Sequence, residues 1–219
     1  KHALILFPDR GILGDVIACF PQALLFGQVS GLRLTVIMHE RLIPLFRGAY
    51  PDIAFFTDHD PLPRIDYVAI DLCHFPGTTE EVTAVGTWYV AAHILGIEHV
   101  YNPPMVCVAS GGRPIAEPYV CIATQSTAQC KYWNNPHGWQ ETVAWLRETG
   151  YRVICIDRDR VFGTDDTWNP IPDNAEDETG DKPLIERARW LKHADFFVGL
   201  SSGLAWLAWA CRTPVVMIS

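Results

Sequence analysis

Short apolar runs alternate with helix-like tracts along this chain, break once at a segment rich in proline and glycine, and then alternate again. Residues 3–7, 34–38, 53–56 and 67–72 have the length and apolar content of buried strands, and the tract 16–26 between the first two reads as a helix. Thr78 and Glu81 have capping-box spacing and would open a helix with Val82, Val85, Tyr89 and Ala92 on one face, closed by Gly96. Residues 102–118 carry four prolines and two adjacent glycines and read as an interdomain linker. Beyond it, 119–124 and 151–156 read as strands, and 137–149 as a helix with Trp139, Val143 and Leu146 inward and Gly150 at its end. Residues 157–181 read as one long loop, whose acidic residues have no regular ligand spacing and so suggest a solvated surface, not a cation site. A helix over 183–192, a strand over 195–198, a helix from Gly203 and a strand at Val215 complete the second half. Strand–helix–strand units on both sides of a linker imply an α/β protein. Its two parallel-sheet domains would be 1–101 and 119–219, with a ligand cleft between them.

Charge and cysteine content narrow the function. A formal net charge of −8 over 219 residues argues against nucleic-acid binding, which needs a basic stripe. No apolar stretch is read as long enough to span a bilayer, and no signal peptide opens the chain. The chain begins at Lys1 and stops inside the apolar run 214–219, which reads as a core strand cut off mid-fold, and the expectation is a fragment whose second domain would lack its C-terminal part. Seven scattered cysteines, none in a Cys-x-x-Cys pair, fit buried free thiols in a reducing compartment, and the cytoplasm is the expected home.

Four motifs sit where such a fold places ligands. Gly199-Leu200-Ser201-Ser202-Gly203-Leu204 joins a strand to a helix, where small residues let a phosphate approach backbone N–H groups at the positive helix end. A tight turn would favour the same residues. Leu13-Gly14-Asp15-Val16-Ile17, with Pro21 downstream, follows the first strand. Asp15 either caps the next helix or presents a general base at the carboxyl edge of the sheet. Thr124-Gln125-Ser126-Thr127-Ala128-Gln129-Cys130-Lys131 follows the first strand of the second half, with Lys131 a point charge for a diphosphate or a plain surface lysine. Thr179-Gly180-Asp181-Lys182-Pro183 offers Asp181 as a helix cap, with backbone groups that could face a base or ribose.

In this order the motifs resemble the glycosyltransferase family that includes the lipopolysaccharide heptosyltransferases. They are closest in wording to the bacterial autotransporter O-heptosyltransferases of the TibC type. The likeness rests on Gln129-Cys130-Lys131-Tyr132-Trp133-Asn134-Asn135-Pro136, on Thr179-Gly180-Asp181, and on Ser201-Ser202-Gly203-Leu204-Ala205-Trp206-Leu207-Ala208-Trp209. It implies a GT-B fold, two Rossmann-like domains with the donor held mainly by the second. It also implies an inverting transfer of heptose from ADP-heptose to serine hydroxyls of autotransporter passenger proteins. By motif match Asp15 would be the base and Lys131 would stabilise the departing ADP. Gly14, Thr124, Gln125, Ser126, Thr179, Gly180, Asp181, Lys182, Ser201, Ser202, Gly203 and Leu204 would line the donor site.

The resemblance implies no metal for the chemistry. It does imply a structural iron on a cysteine cluster, which is not in this sequence, and homo-oligomers. The alternatives are a lipopolysaccharide-core heptosyltransferase, or a nucleotide-binding module without transferase activity. His93, His59, the pair Cys73-His74, and Trp206 with Trp209 read as packing or solvated surface.

Overall fold

The computed structural model describes residues 1–7, 12–63, 66–72, 86–164 and 167–218. Its contacts divide the chain into two compact units, Lys1–Cys107 and Val108–Ser219. No helix or strand occurs over 102–118.

The first unit is built on strands β1 (His2–Leu6), β2 (Arg33–Ile37), β3 (Ala54–Phe56) and β4 (Tyr67–Asp71). They pair in parallel in the order β3-β2-β1-β4. Helix α1 (Leu13–Ser30) returns the chain from β1 to β2, α2 (Ile43–Phe46) leads toward β3, and α3 (Thr87–Leu95) packs on α1. Phe20 of α1 ties these layers together. Its ring lies 4.4 Å from Phe46, 5.0 Å from Tyr50, 5.7 Å from Phe7 and 6.3 Å from Phe55, centroid to centroid. One aromatic side chain thus joins α1 to the end of β1, to α2 and its exit, and to β3.

Two expectations change here. α1 is long and apolar enough to cross a membrane by length and composition, with mean hydropathy 1.2, against the reading that no stretch was. Half of it is buried within the protein, and its apolarity serves the sheet and α3 on either side. The helix closed by Gly96 starts at Thr87, because Gly86 at φ 84° stands outside it as the N-cap. Its buried residues are Val90, Ala91, Ala92 and Leu95, and Tyr89 is exposed. Thr78, Glu81, Val82 and Val85 lie outside the described residues.

The second unit holds β5 (Tyr119–Ala123), β6 (Arg152–Cys155), β9 (Glu176–Asp177), β10 (Phe196–Leu200) and β11 (Val215–Ile218) in one parallel sheet, ordered β11-β10-β5-β6-β9. All five residues of β5 are buried, as a central parallel strand covered on both faces requires. Helices α4 (Gly138–Glu148), α5 (Leu184–His193) and α6 (Gly203–Ala210) make the crossovers. Val120, Ile122, Val143, Leu146, Val153 and Val198 form the core beneath α4.

The loop expected over 157–181 is not a loop. It carries an antiparallel hairpin, β7 (Val161–Thr164) with β8 (Thr167–Pro170), and then β9. Among the described residues the hairpin's strands pair with each other alone, and β9 is fastened by polar contact. Arg152 Nε donates to Glu176 Oε1 at 2.7 Å, and its second nitrogen holds Glu176 Oε2. Neither device leaves an apolar period in the sequence.

Gln22 is a long polar side chain set in the first unit's core, at 0% exposure. Its amide closes on one backbone unit: Nε2 donates to Val100 O at 2.7 Å, and Oε1 accepts from Val100 N at 3.0 Å. Gln22→Leu leaves both Val100 groups unpaired and should lower stability by about 2 kcal/mol in denaturant unfolding. A change below about 0.5 kcal/mol would mean that water takes the place of the amide.

Candidate functional site

β5 is the strand at which the second sheet reverses order, with β6 and β9 on one side and β10 and β11 on the other. Open parallel sheets bind ligands outside the carboxyl ends at such a point. Gly199 pairs with Ala123, so the segments leaving β10 and β5 emerge side by side at that edge. A Cβ on Gly199 would stand 2.9 Å from the Ala123 carbonyl oxygen and 2.5 Å from the Phe197 ring. The first glycine of the 199–204 motif is therefore needed for strand packing. Ser202 is the N-cap of α6, extended at φ −138° and ψ 179°, and its side chain makes no capping bond. The first amides of α6, those of Gly203 and Leu204, belong to the turn that has no intrahelical acceptors. Ser201, Ser202, Gly203 and Leu204 are all partly exposed.

The loop after β5 is anchored from below. Thr124 N donates to Asp157 Oδ2 at 2.7 Å, and Thr124 Oγ1 donates to the same oxygen at 3.2 Å. Gln125 Nε2 donates to the carbonyls of Asp159 at 2.9 Å and Asn169 at 3.1 Å, while Asn169 Nδ2 donates to Thr124 O at 2.7 Å. Ser126 Oγ accepts from Ala128 N at 3.3 Å. These bonds spend the side chains of Thr124 and Gln125 inside the protein and lock the loop to the β7–β8 hairpin. The chain then makes a 3-10 turn, Gln129–Lys131, which leaves Lys131 exposed and without an ion pair among the described residues. Behind it Trp133 stands edge-on to Trp139 at 5.5 Å, and a Cβ on Gly138 would come within 2.6 Å of the Trp133 ring. The Lys-Tyr-Trp block thus has a packing half and a solvent half.

The third motif follows β9. Thr179 is drawn back onto the strand end, its N and Oγ1 donating to Asp177 Oδ1 at 3.0 and 2.6 Å. Gly180 turns at φ 113° and donates to Arg158 O at 2.9 Å, and Lys182 pairs with Glu178. Asp181 is not the N-cap of the next helix: that position is Pro183, whose ring has no group to make a side-chain capping bond.

Two buried polar residues that the sequence reading passed over hold this edge together. Asp157 is 2% exposed, and burial pushes its carboxyl up to about 6 even though the Thr124 amide pulls it down. Arg187 on α5 is 3% exposed and donates to Asp157 O at 2.9 Å, to Gly180 O at 2.7 Å and to Glu178 O. Burial lowers its pKa. A signal was present: Arg187 falls three and four residues before Trp190 and Leu191, on the apolar stripe of its helix.

In the first unit β1 is the reversal strand, and α1 begins beyond its carboxyl end. Asp15 is the third residue of α1 and half-buried; Gly14 beside it is buried. Asp15 is not the N-cap residue: Ile12 holds that position, and its side chain makes no capping bond. A second carboxylate, Asp71, ends β4 in register with Leu6. His93 and His59 are exposed, and Cys73 and His74 lie outside the described residues. Among the described residues no group of three or more His, Cys, Asp or Glu side chains could hold a metal, so they do not fit an iron site.

No protein-family model matches the chain. The autotransporter heptosyltransferase TibC of Escherichia coli O78:H11 is 47% identical over 224 residues, taking in 100% of this chain and 55% of the relative. The chain is a homologue of the autotransporter heptosyltransferases. Aah of Escherichia coli is also 47% identical, over 100% of this chain and 57% of the relative. An inactive autotransporter heptosyltransferase, BimC of Burkholderia thailandensis, is 37% identical over 100% of this chain and 53% of its own. The chain thus spans about half the length of the curated relatives it matches.

Among solved structures, an iron-containing dodecameric glycosyltransferase, TibC of enterotoxigenic E. coli H10407, superposes with TM-score 0.92 at 45% identity. That match covers 99% of this chain and 57% of the other. A complex of dodecameric TibC with ADP-D-β-D-heptose gives the same TM-score and identity over 100% of this chain and 58% of the other. E. coli heptosyltransferase WaaC with ADP, at TM-score 0.65 and 15% identity over 99% of this chain and 87% of the other, shares the fold alone. The architecture is that of an α/β glycosyltransferase with parallel sheets.

The raised Asp157 carboxyl has a consequence for stability. Between its ordinary value of 3.8 and about 6, the folded protein binds a proton that the unfolded chain has released. Its contribution is therefore largest in acid and is lost as pH rises through the folded value. Thermal melts of Asp157→Asn against the parent should show the variant gaining relative stability from pH 4 to pH 7. A gap that does not change with pH would show that the carboxyl titrates normally.

Proposed function

We propose that the full-length protein transfers heptose from ADP-heptose to hydroxyls of an autotransporter passenger protein, by a single inverting displacement in a GT-B enzyme. The observation that carries this reading is identity along the whole chain to a relative whose solved structure holds ADP-D-β-D-heptose. In the second unit, with its boundary near 108, Ser201, Ser202 and Gly203 would take the diphosphate on the uncapped start of α6. Thr124, Gln125 and Ser126 would stand opposite, and Gly180, Asp181 and Lys182 toward the ribose or base. In the first unit Asp15 is the general base.

The acceptor oxygen, a serine hydroxyl on this reading, attacks the anomeric carbon as the bond to the β-phosphate oxygen breaks. The electron pair leaves with ADP, and the acceptor proton passes to Asp15. Lys131 and the α6 amides neutralise the leaving diphosphate, so no divalent metal is required by the step. Homo-oligomers and a cytoplasmic setting accompany the reading. The iron of TibC is left outside it, because the described residues offer no site.

The test is heptose transfer from ADP-heptose to a passenger fragment, read by intact mass. Asp15→Ala should lower turnover by roughly 10²–10⁴-fold while ADP still binds. Lys131→Ala should cost roughly 10²–10³-fold and weaken ADP as well. Parent-like turnover in Asp15→Ala would remove the base assignment. The non-catalytic alternative draws on the inactive relative at 37% identity. It is the conclusion if ADP-heptose binds and neither a passenger protein nor a lipopolysaccharide-core acceptor gains mass.

A further inference from the structure

Three of the strand ends on the carboxyl edge of the second unit converge on one buried pair. Asp157, just beyond β6, takes the Thr124 amide and hydroxyl at the end of β5 on a single carboxylate oxygen. Arg187, reaching in from α5, donates to the carbonyl of that same Asp157 and to those of Glu178 and Gly180 beyond β9. Both side chains are almost wholly buried, so neither is placed to meet a ligand in solvent. Burying a guanidinium is costly unless its donors are used, and here they are used on backbone carbonyls of two separate turns. A planar fork can hold several acceptors in one fixed geometry, which a lysine ammonium on its flexible stem cannot.

We propose that Arg187 and Asp157 are positioning residues of the donor site. They form a buried strut that fixes the turn 178–181 relative to the loop 124–126 and touch no substrate themselves. The inference rests on the reading of those two segments as donor-binding. It deepens that reading: the two turns act as one jaw, and donor affinity depends on their spacing. The acceptor, approached from the first unit's Asp15, should not sense the strut.

The strut can be broken without emptying the core. Arg187→Lys keeps the charge and most of the volume but loses the fork, and Asp157→Asn keeps the shape and one acceptor. In the full-length protein, Arg187→Lys should weaken ADP in calorimetry, and raise KM for ADP-heptose, by about tenfold, equivalent to about 1.4 kcal/mol. KM for the passenger acceptor should stay within about twofold. Amide hydrogen exchange should quicken at Thr124 and Gly180 together, and remain unchanged along β10 and β11. Asp157→Asn should loosen Thr124 alone and raise the donor KM less.

A variant that lowers the melting temperature while donor KM and the Thr124 and Gly180 amides stay at parent values overturns the proposal, as does an equal rise in both KM values. If the parent protein binds no ADP-heptose, the donor reading has failed. The paired exchange of Thr124 and Gly180 then decides the strut by itself: joint quickening in Arg187→Lys keeps it, and independent behaviour removes it.

Discussion

Parallel pairing between β5 and β10 is the constraint on which the rest of the second unit depends. Two parallel neighbours must leave the sheet at the same edge, so the segments after Ala123 and Leu200 cannot avoid each other. The register is tight. Gly199 lies against the Ala123 carbonyl and under the Phe197 ring, with no room for even one more carbon. With that pairing fixed, the partly exposed Ser201–Gly203 helix start and the buried Thr124–Ser126 segment leave the sheet at one edge, and the polar contacts beneath that edge hold the loop still.

Holding it requires polar chemistry in the interior. A strand that ends at a switch point leaves backbone groups with no ladder partner, and Thr124 N is such a group. An apolar residue at 157 would leave that amide orphaned, at about 1–3 kcal/mol. The carboxylate satisfies it and the hydroxyl together, yet its own burial is unfavourable enough to raise its pKa to about 6. Arg187 answers the matching problem, since the Glu178 and Gly180 carbonyls beyond β9 and the Asp157 carbonyl beyond β6 would otherwise face a side chain with nothing to donate. Burial works against both ions, which is evidence of a geometric demand that apolar packing does not meet.

Where function left a simple physical trace, the sequence was readable. β5 showed as an unbroken apolar run because both its faces are covered. α3 and α4 showed their C-terminal ends because Gly96 at φ 64° and Gly150 at φ 97° need left-handed backbone. What hid was whatever is stabilised by partners distant in sequence or by backbone alone. The β7–β8 strands are four residues each and leave Val161 and Trp168 exposed, and the two-residue β9 is pinned through Arg152 to Glu176. Asp15 and Asp181 looked like helix caps, but the N-caps are Ile12 and Pro183. Asp157 and Arg187 pair with backbone groups that no residue pattern advertises. The candidate site was legible as segments, whereas the groups beneath it left one trace, Arg187 on the apolar stripe of α5, and their backbone partners were visible only in three dimensions.

The same division bears on how one fold can include both active and inactive relatives. Asp15 stands in the first turn of α1, where a carboxylate faces the positive end of the helix dipole, and it is not the N-cap residue. Lys131 is exposed and unpaired among the described residues. Neither is part of the Phe20 aromatic cluster, the Gln22 clamp or the Asp157–Arg187 network. Substitution of the exposed Lys131 would leave the packing that defines the fold almost untouched. The residues that make this chain fold and the residues proposed to make it react are separate sets, so overall identity tracks the first set far more closely than the second. A relative 37% identical along the whole chain is named inactive, so overall identity does not by itself carry the activity, and Asp15 and Lys131 are the positions at which the proposed chemistry is tested.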